Sequence, residues 1–516
     1  MSPSADRFLE RALLFTMVSH LLAMGTMALF LLPGIPGGTT ADLAERAAYI
    51  ANHPWLWRIG WFPWQVTAVS DLVLAIALLR SCWIPKLPAI LAFLATTVAV
   101  LIEQPNEFRW ITVGVEVARQ AVESRVYDEY LRFETTTNRL VSLWAAMCYT
   151  IAAICWSWTF SVAGVWNRWL TWLSVAAWGI LLFVSAGPLI VGVEYISDRV
   201  IAVGNACGFI LMMIWFVVVT EQVLRRSRPD DTHGRYAPWK SPYRWPLGAL
   251  IDVVANARLP RAFGELLPSL SFVSDITNVV YVNYLVDVKR LQPLVPVGLE
   301  LQRLGPQGRY ALFTFLTYRH GHFGPRMLGP LRRLLPSPIQ SNWRIHVRDP
   351  NTSVTGIYFI STAITALPNA LAARFLSEGV PMHVPRDAEM SLRPDGSIIV
   401  QIEPGSGSAP DVNALLSPTA VPEMIPPWNE CFSDFQAFLE YCVPQDRAMS
   451  SQPWYRRITR QEIRLDIPLQ SCQPLVGTVT SRAAVEIAAD ATPLCFGVAQ
   501  VQFRYDGEQY DVVKPT

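Results

Sequence analysis

Lysine is scarce in this chain of 516 residues: only four of its 42 basic residues are lysines, at Lys86, Lys240, Lys289 and Lys514. Catalysis through a Schiff base requires a lysine whose amine is kept uncharged, often by burial. In the second half of the chain, Lys289 lies beside Arg290 on the polar side of a short predicted helix, and Lys514 is two residues from the C-terminal end of the sequence. Neither lysine is predicted to be buried, so the sequence argues against Schiff-base chemistry.

Other signatures of known chemistry are also missing. The eight cysteines contain no CxxC pair, which argues against a zinc ribbon or a redox motif and favours buried thiols in a reducing compartment. The stretch GSGSAP at 405–410 lacks the Lys-Ser/Thr pair of a phosphate-binding loop, and no Gly-x-Ser-x-Gly element is present. A net charge of +1 gives no indication of nucleic-acid binding. We therefore expect neither a nucleic-acid partner nor a cofactor.

Long hydrophobic runs dominate the first half of the chain. Runs of about the thickness of a bilayer predict six membrane-spanning helices, at about 12–33, 60–80, 87–103, 140–162, 169–192 and 200–221. Tryptophan is concentrated near the ends of these runs, as in the interfacial belts of membrane proteins. Residues 1–222 are therefore predicted to form an α-helical six-span membrane bundle, whose partner is the lipid bilayer.

The distribution of basic residues predicts the orientation of this bundle. With the N-terminus inside, the cytoplasmic segments hold eleven basic residues and the opposite side holds eight. The dense basic cluster just after the sixth span accounts for the excess of basic residues on the cytoplasmic side. We therefore expect a multi-pass protein of the inner (plasma) membrane with both termini in the cytoplasm.

The connection between the third and fourth spans has a helical pattern of its own. Apolar residues recur at three- and four-residue steps, at Phe108, Ile111, Val115, Ala118, Val122, Val126, Tyr130 and Phe133. This spacing predicts one amphipathic helix of about seven turns. The helix would lie on the membrane surface, cap the bundle or pack as an ordinary extracytoplasmic helix.

Two polar residues lie within predicted spans, where such groups are costly and are functional candidates. His20 is about nine residues from the cytoplasmic end of the first span, and Asp71 is about nine residues from that end of the second. Antiparallel neighbouring spans would bring both to the same depth. We hypothesise an imidazole–carboxylate pair that acts as a polar clasp or a proton site. Alternatively, backbone or Ser/Thr groups satisfy each side chain separately.

The second half of the chain has the composition and patterning of a globular domain. Residues 223–267 form a basic, proline-rich linker with a short amphipathic segment at Leu247–Phe263, which we expect to rest on the inner membrane surface. Residues 268–516 contain short alternating segments divided by Gly and Pro. These predict strands at about 278–286, 311–319, 343–348, 356–363, 388–392, 397–402, 463–469 and 499–505, with helices at 364–376 and 431–442. Asp287 is placed to cap a short helix after the first strand. Many short strands with few helices suggest a closed or nearly closed barrel.

Several segments of this domain resemble a known family. In order, VDVKRLQPLVPVGLEL, SNWRIHV, TGIYFISTAI, FLEYCVPQ and EIRLDIPLQ are similar to the uncharacterised YqjF-type bacterial family, which is grouped by fold with acetoacetate decarboxylase. The resemblance covers about 270–513. It does not include the six spans, which are only faintly similar to other bacterial multi-span proteins. It implies a mainly antiparallel (α+β) acetoacetate decarboxylase-like barrel with an internal pocket.

The same resemblance bears on catalysis. Acetoacetate decarboxylases use a buried lysine that follows a central strand, and the corresponding place here is near TAITALPNALAARF, where no lysine occurs. The resemblance therefore implies a barrel without lysine chemistry.

Polar residues of two strands are the candidates for ligand binding. A period of two places Asn342, Arg344 and His346 on one strand face. Asn342 and Arg344 match the family pattern, whereas Gln340 and His346 replace an acidic residue and a tyrosine, and the family's acidic residue after GIYFIS is also replaced. The loss of both acids weakens a general acid/base role. Arg344 could still hold a carboxylate through a bidentate pair. Alternatively, this polar face is solvated or pairs structurally. Tyr358, on the next strand, completes the candidate set.

Several histidines of the second half are candidates for metal ligands. His320 and His322 in YRHGHFG share one predicted strand face, and either His346 or His383 could join them. Two histidines at i and i+2 without a carboxylate do not define a site, so no metal is predicted.

These patterns favour a membrane protein whose cytoplasmic barrel binds a small organic ligand, either a carboxylate or an apolar molecule. The membrane half would anchor the barrel or respond to it. One alternative is an enzyme that acts on a small carboxylate or a membrane-derived substrate through Arg344 and His346. Another is a transporter that the barrel regulates. The sequence favours no particular oligomeric state.

Overall fold

The computed structural model describes residues 3–192, 195–227, 238–377, 379–444, 446–452 and 457–512. The chain divides into two compact units, residues 1–227 and 228–516. We call them the helical unit and the sheet unit.

The helical unit is built from long apolar helices joined by shorter ones. Its helices are α1 (Pro3–Thr26), α2 (Leu43–Asn52), α3 (Pro54–Arg80), α4 (Lys86–Ile111), α5 (Val113–Ser124), α6 (Asp128–Asn138), α7 (Ala146–Val162), α8 (Arg168–Val191) and α9 (Asp198–Ser227). One wide helical turn, Met27–Leu31, extends α1, and another, Arg139–Ala145, joins α6 to α7. Asp42 and Asn167 cap α2 and α8, because the side chain of each accepts a hydrogen bond from a backbone N–H of the first turn.

Six helical stretches are long and apolar enough to cross a membrane. They are Arg7–Leu31, Pro54–Arg80, Lys86–Ile111, Asp128–Val162, Arg168–Val191 and Asp198–Ser227. Each contains one of the six predicted runs or most of it. The helix Pro54–Arg80, for example, begins before its predicted run and includes Trp55 and Trp57.

The single seven-turn amphipathic helix predicted at 108–133 is wrong. The segment is divided among the end of α4, α5 and the start of α6, with a break at Arg125, whose φ of 58° is left-handed. Its apolar face is packed rather than laid on a surface: Trp110, Val115 and Tyr130 share one buried cluster with Trp57 of α3. This burial favours the packed alternative.

The sheet unit begins with two short helices and continues as a large sheet with small helices. Its helices are α10 (Leu247–Ala255), α11 (Leu259–Gly264), α12 (Val288–Leu291), α13 (Leu367–Leu376), α14 (Phe435–Cys442) and α15 (Arg482–Ala488). Its longer strands are β1 (Phe272–Asp287), β4 (Tyr310–Arg319), β6 (Ile339–Arg348), β7 (Thr355–Ile364), β9 (Asp387–Leu392), β10 (Ile398–Glu403), β11 (Val412–Pro418), β12 (Arg447–Gln452), β13 (Arg457–Leu465), β14 (Gln473–Thr480) and β15 (Leu494–Val512). The two-residue strands are β2 (Glu300–Leu301), β3 (Arg303–Leu304), β5 (Gly324–Pro325) and β8 (Met382–His383).

Of the two predicted alternatives, a closed or a nearly closed barrel, the closed one is not formed. The strands make one mainly antiparallel sheet with neighbours in the order β5-β1-β4-β6-β7-β12-β13-β15-β14-β11-β10-β9. The sheet curls back so that β15 also pairs with β1. However, β12 meets β7 through a single parallel bridge between Ala448 and Ile357, and the path continues past β15 to an end at β9. The sheet is therefore curled but open.

Local signals explain the start of this sheet. Asp287 caps α12 as predicted, since its carboxylate accepts a hydrogen bond from the backbone N–H of Lys289 at 2.9 Å. The first strand is longer than predicted and begins at Phe272 rather than near Asn278. Asn278 has a φ of 55° at a bulge in the pairing of β1 with β4. Asparagine tolerates this left-handed conformation better than most residues, so the strand continues through it.

Alternation along β1, β4 and β6 separates two cores. One face contributes Val282, Phe313, Phe315, Trp343 and Ile345 to a buried cluster that includes residues of β9, β10 and β11. The other face contributes residues such as Leu285 and Leu312 to a second cluster with the aromatic face of α14.

A buried amide ties four elements of the sheet unit together. Asn283 on β1 donates a hydrogen bond from Nδ2 to the carbonyl of Leu494 on β15 at 2.9 Å. Its Oδ1 accepts from the hydroxyl of Thr314 on β4 at 2.8 Å and lies 3.3 Å from Sγ of Cys442 on α14. We call this arrangement the Asn283 junction.

The linker helices pack on the sheet unit. Ile251 and Ala255 of α10 belong to a buried cluster with Trp239, Met382 and Val384. The opposite face of α10 leaves Leu247, Leu250 and Val253 exposed. Contact of this segment with a membrane surface stays a prediction.

Candidate functional site

A cavity of about 200 Å³ lies within the sheet unit, on the same side of β1, β4 and β6 as the aromatic cluster of α14. Its wall is mostly apolar, with side chains such as Phe272, Leu316, Ile357, Phe359, Ile463 and Phe503. Polar side chains also line it, namely Tyr281, Tyr318, His320, Gln340, Asn342, Arg344, Gln461 and Glu508. An apolar cavity with a few polar groups is the usual form of a small-molecule site.

The strand β6 delivers the central polar groups, as its alternation predicts. Asn342 and Arg344 face the cavity, while Trp343 and Ile345 between them enter the opposite core. The side chain of Arg348 is half exposed and forms an ion pair with Glu300 at 2.8 Å. One face of a single strand therefore changes from cavity wall to solvent-exposed surface.

Arg344 is the buried cation of this cavity. Only 3% of the residue is exposed, and its guanidinium carbon lies 5.6 Å from the centre of the Tyr281 ring. Two of its nitrogen atoms, Nε and Nη2, have no hydrogen-bond partner. Among the described residues, no carboxylate forms an ion pair with Arg344. A guanidinium stays charged at any physiological pH, so its free N–H groups favour an anion in the cavity.

The hydroxyl of Tyr281 is a second free donor close to Arg344. It is buried beside the guanidinium of Arg344, and since a guanidinium accepts no hydrogen bond, the Tyr281 O–H has no acceptor there. Burial raises the pKa of Tyr281 to about 12, so the hydroxyl keeps its proton at neutral pH. Tyr281 and Arg344 can therefore both donate to one bound anion.

A chain of hydrogen-bonded side chains forms another part of the polar wall. Asn342 donates from Nδ2 to the hydroxyl of Tyr318 at 3.0 Å, and Gln340 donates from Nε2 to Oδ1 of Asn342 at 2.7 Å. Gln340 Oε1 lies 2.8 Å from Nε2 of His320, and Nδ1 of His320 lies 2.9 Å from Oγ of Ser274. These bonds fix the orientation of Asn342 next to Arg344.

His320 is neutral and fully engaged in this chain. Burial lowers the pKa of His320 to about 4, despite the raising effect of its hydrogen bond with Gln340. Since both ring nitrogens have partners, His320 and His322 do not present free ligands to one metal ion. Within the described parts of the chain, no group of three His, Cys, Asp or Glu side chains is arranged to hold a metal.

Two predicted ligand-binding residues lie away from the cavity wall. His346 is fully buried and stacks on Tyr441 of α14, with ring centres 5.3 Å apart. Tyr358 faces the opposite core, beside Trp343 and Ile345, because its neighbours on β7, Ile357 and Phe359, take the cavity side. The structure therefore brings together Asn342 and Arg344 but neither His346 nor Tyr358.

Two lysines of the sheet unit, Lys289 and Lys514, were predicted not to be buried. Lys289 is exposed on α12. Lys514 lies outside the described residues. The helix α13, where the decarboxylase lysine was expected by resemblance, instead carries buried Arg374, which donates to the carbonyls of Ala255 and Met382.

In the helical unit, the two predicted polar residues do approach each other. His20 Nε2 on α1 lies 3.8 Å from Asp71 Oδ2 on α3, and both side chains are buried. His20 Nδ1 also lies 2.9 Å from the carbonyl of Thr16. The structure thus combines the hypothesised pair with a backbone contact.

Other polar residues near these sites were not predicted. In the helical unit, Glu103 and Glu107 are buried on α4. Their four-residue spacing at the end of an apolar run was the available signal. In the cavity, Gln461 on β13 donates a hydrogen bond to Glu508 on β15. No sequence signal identifies that pair, because strand pairing alone brings the two residues together.

Comparison with known families agrees with the resemblance seen in the sequence. Residues 274–398 match the family DUF2071, described as an uncharacterized conserved protein. This match confirms the YqjF-type resemblance for that part of the sheet unit. No family model matches the N-terminal half. A search of curated proteins found no match.

Solved structures similar to this chain include two kinds of enzyme. The enduracididine biosynthesis enzyme MppR with HEPES buffer bound is 14% identical, with a TM-score of 0.35, and the match covers 48% of this chain and 91% of that chain. The same enzyme complexed with pyruvate is 15% identical, with a TM-score of 0.34 over 48% and 91% of the two chains. An acetoacetate decarboxylase-like enzyme from Sphingomonas wittichii RW1 is 10% identical, with a TM-score of 0.34 over 48% and 95%. At these identities and scores, the matches do not assign an activity to this chain.

Proposed function

We propose that this chain, which carries a DUF2071 (YqjF-type) domain at 274–398, is an inner-membrane protein whose sheet unit binds a small organic carboxylate. The ligand would have an apolar body and one carboxylate, and it would be bound without Schiff-base chemistry. The helical unit would span the bilayer six times, with both termini in the cytoplasm.

The observation that carries this proposal is the unpaired guanidinium of Arg344 in an apolar cavity. Burying a charge without a partner is costly, and a bidentate carboxylate is the anion that best matches the geometry of a guanidinium. Tyr281 supplies one more free donor at the same place. The apolar wall would cover the rest of the ligand. A cavity of about 200 Å³ has room for on the order of ten non-hydrogen atoms.

The proposed membrane location rests on the six apolar helices and the distribution of basic residues. Each helix is long and apolar enough to cross a bilayer, which is typical of membrane spans. Arg225 and Arg226 in the last turn of α9 contribute to the basic cluster that favours a cytoplasmic location for this end. Glycosylation-site or cysteine-accessibility mapping of the two termini in intact cells would test the orientation.

Calorimetry on the full chain in lipid nanodiscs tests the cavity. The ligands are butyrate and hexanoate, with 1-butanol and 1-hexanol as uncharged analogues of the same length. We expect each carboxylate to bind more tightly than its alcohol, and hexanoate more tightly than butyrate. In Arg344→Met, carboxylate affinity should fall by about 30-fold or more, the effect of losing a charge-assisted hydrogen-bonding partner of about 2 kcal/mol.

Arg348→Met is the matched control, since Arg348 lies on the same strand but is half exposed and paired with Glu300. Its carboxylate affinity should equal that of the wild type. Equal affinity for carboxylates and alcohols, or equal loss in the two variants, would contradict the proposal.

A further inference from the structure

Three carboxyl groups are buried on two packed helices of the helical unit, α3 and α4. Asp71 on α3 is 5% exposed, and Glu103 and Glu107 on α4 are 8% and 0% exposed. The four-residue spacing of the two glutamates places them on one face of α4. Glu103 is an electrostatic neighbour of both Asp71 and Glu107. We call these three residues the carboxyl cluster.

The carboxyl cluster is only partly satisfied by hydrogen bonds. Tyr149 on α7 donates from its hydroxyl to Oε2 of Glu103 at 2.5 Å, and Gln65 on α3 donates from Nε2 to Oε2 of Glu107 at 2.5 Å. In contrast, Oδ1 of Asp71 and Oε1 of Glu107 are buried and have no partner. Two carboxyl oxygens therefore lack the donor that a buried carboxylate requires.

The surrounding helices do not supply a compensating positive charge. His20 comes from α1, 3.8 Å from Asp71, and α9 contributes the uncharged ring of Phe216 beside that histidine. In the described part of the helical unit, no Arg or Lys forms an ion pair with the carboxyl cluster. Arg58 instead donates to the carbonyl of Ile111, and Arg109 lies over the ring of Phe133.

Three neighbouring carboxylates cannot all stay charged in such a place. Removing each charge from water costs several kcal/mol, and each like charge nearby adds to that cost. Binding a proton removes the charge and also gives the group an O–H donor. We infer that Asp71, Glu103 and Glu107 form a proton-binding site inside the helical unit, which shares at least one exchangeable proton at neutral pH.

The spacing of the groups favours protons over a coordinated metal ion. Gln65 is the residue of α3 that contacts Glu107, and it lies six residues from Asp71, which corresponds to about 9 Å along a helix. The carboxyl cluster is thus extended along the helices. Across the described residues, no three acidic, His or Cys side chains converge on one point. An extended row of acids, with Tyr149 and His20 beside it, can pass a proton along but does not surround an ion.

Infrared spectroscopy of the full chain in nanodiscs tests this inference. A protonated carboxyl group has a carbonyl stretch that a carboxylate lacks. At pH 7 we expect this band in the wild type, and it should decrease as the pH is raised. In each of Asp71→Asn, Glu103→Gln and Glu107→Gln, the pH range over which the band decreases should shift from that of the wild type, since the protons belong to the three groups together.

Glu134→Gln is the matched control. Glu134 is also a buried carboxylate, but Arg46 holds both of its oxygens at 2.9 and 2.7 Å, so it should contribute nothing to the band at pH 7. Absence of the band from the wild type at pH 7 would overturn the inference without any variant. An unchanged band in all three variants would overturn it as well. A band that falls when Na⁺ replaces choline would assign the cluster to a metal cation instead.

Discussion

The two units bury unpaired charge of opposite sign. In the described residues, the helical unit contains three neighbouring acids without an Arg or Lys partner, and the sheet unit contains Arg344 without an acidic one. The chemistry of the two groups leads to different solutions. A carboxylate can lose its charge by taking a proton, whereas a guanidinium cannot give up its proton and must find an anion. The same cost of burial therefore indicates a proton site in one unit and an anion site in the other.

The helical unit also contains a buried acid that has a basic partner. Breaking this ion pair should have the largest effect of the changes that test the comparison. Arg46 and Glu134 form a buried bidentate ion pair. In Arg46→Met the Glu134 carboxylate stays buried without its cation, so the free energy of unfolding should fall by about 3–5 kcal/mol. Unfolding of the full chain by SDS in mixed micelles measures this change.

Two controls accompany the Arg46 variant. Arg119→Met breaks a half-exposed pair with Glu116 and should cost about 1 kcal/mol or less. The double variant Arg46→Met with Glu134→Met should recover most of the loss. A small effect of Arg46→Met alone would mean that Glu134 takes a proton, and the contrast with the carboxyl cluster would disappear.

In the sheet unit, the burial of the basic side chain of His320 makes stability depend on pH. The pKa of His320 is about 4 in the folded state against 6.5 as its ordinary value, so the unfolded chain binds more protons between these values. Stability from this group is fully present above pH 6.5 and is lost as the pH falls towards 4. The loss should approach about 3 kcal/mol. His346, whose pKa burial and the Arg344 charge also lower, adds a loss of the same sign.

Thermal unfolding of the β-sheet signal, followed by circular dichroism between pH 7 and pH 4, measures this dependence. His320→Gln should reduce the acid loss and leave the part that belongs to His346. His322→Gln is the control, since His322 is only half-buried, and it should leave the profile unchanged. If stability depends on pH in the same way in His320→Gln and in the wild type, this histidine does not determine the acid sensitivity.

Placing an acid beside Arg344 would give the buried guanidinium of the sheet unit the anionic partner that it lacks. Asn342 faces the cavity two residues from Arg344 on the same strand face, a separation of about 7 Å. In Asn342→Asp, the added carboxylate should weaken hexanoate binding by about tenfold through competition for the guanidinium, about 1.4 kcal/mol. Asn342→Ala removes the same amide without adding charge and should bind hexanoate more tightly than Asn342→Asp in calorimetry. Equal affinities would show that Arg344 does not carry the charge recognition.

Periodic patterns in the sequence were sufficient to predict much of this fold. The apolar runs predicted all six long helices, and the period of two on β6 correctly separated Asn342 and Arg344 from Trp343. Local capping chemistry at Asp287 was also correct. In each case, the signal comes from the segment itself, so no knowledge of its neighbours is needed.

The missed features depend on neighbours instead. The strand β14 has few buried positions and contains Pro474 and Gly477, so its sequence gives little strand signal, and pairing with β11 stabilises it. The break at Arg125 has no glycine or proline to mark it. Glu103 and Glu107 lie at and just after the end of the predicted third span, and only the packing of α3 and α7 beside them shows that they are buried.

The Asn283 junction has a consequence for how the cavity receives a ligand. Asn283 is two residues from Tyr281 on the same face of β1, so the bonds that hold the amide also hold the ring beneath Arg344. If β1 slipped by one residue against β4 or β15, this amide would lose both of its strand partners in a buried place. This wall of the cavity is therefore preorganised. A carboxylate would meet donors already in position, and little of its affinity would be lost to ordering the protein.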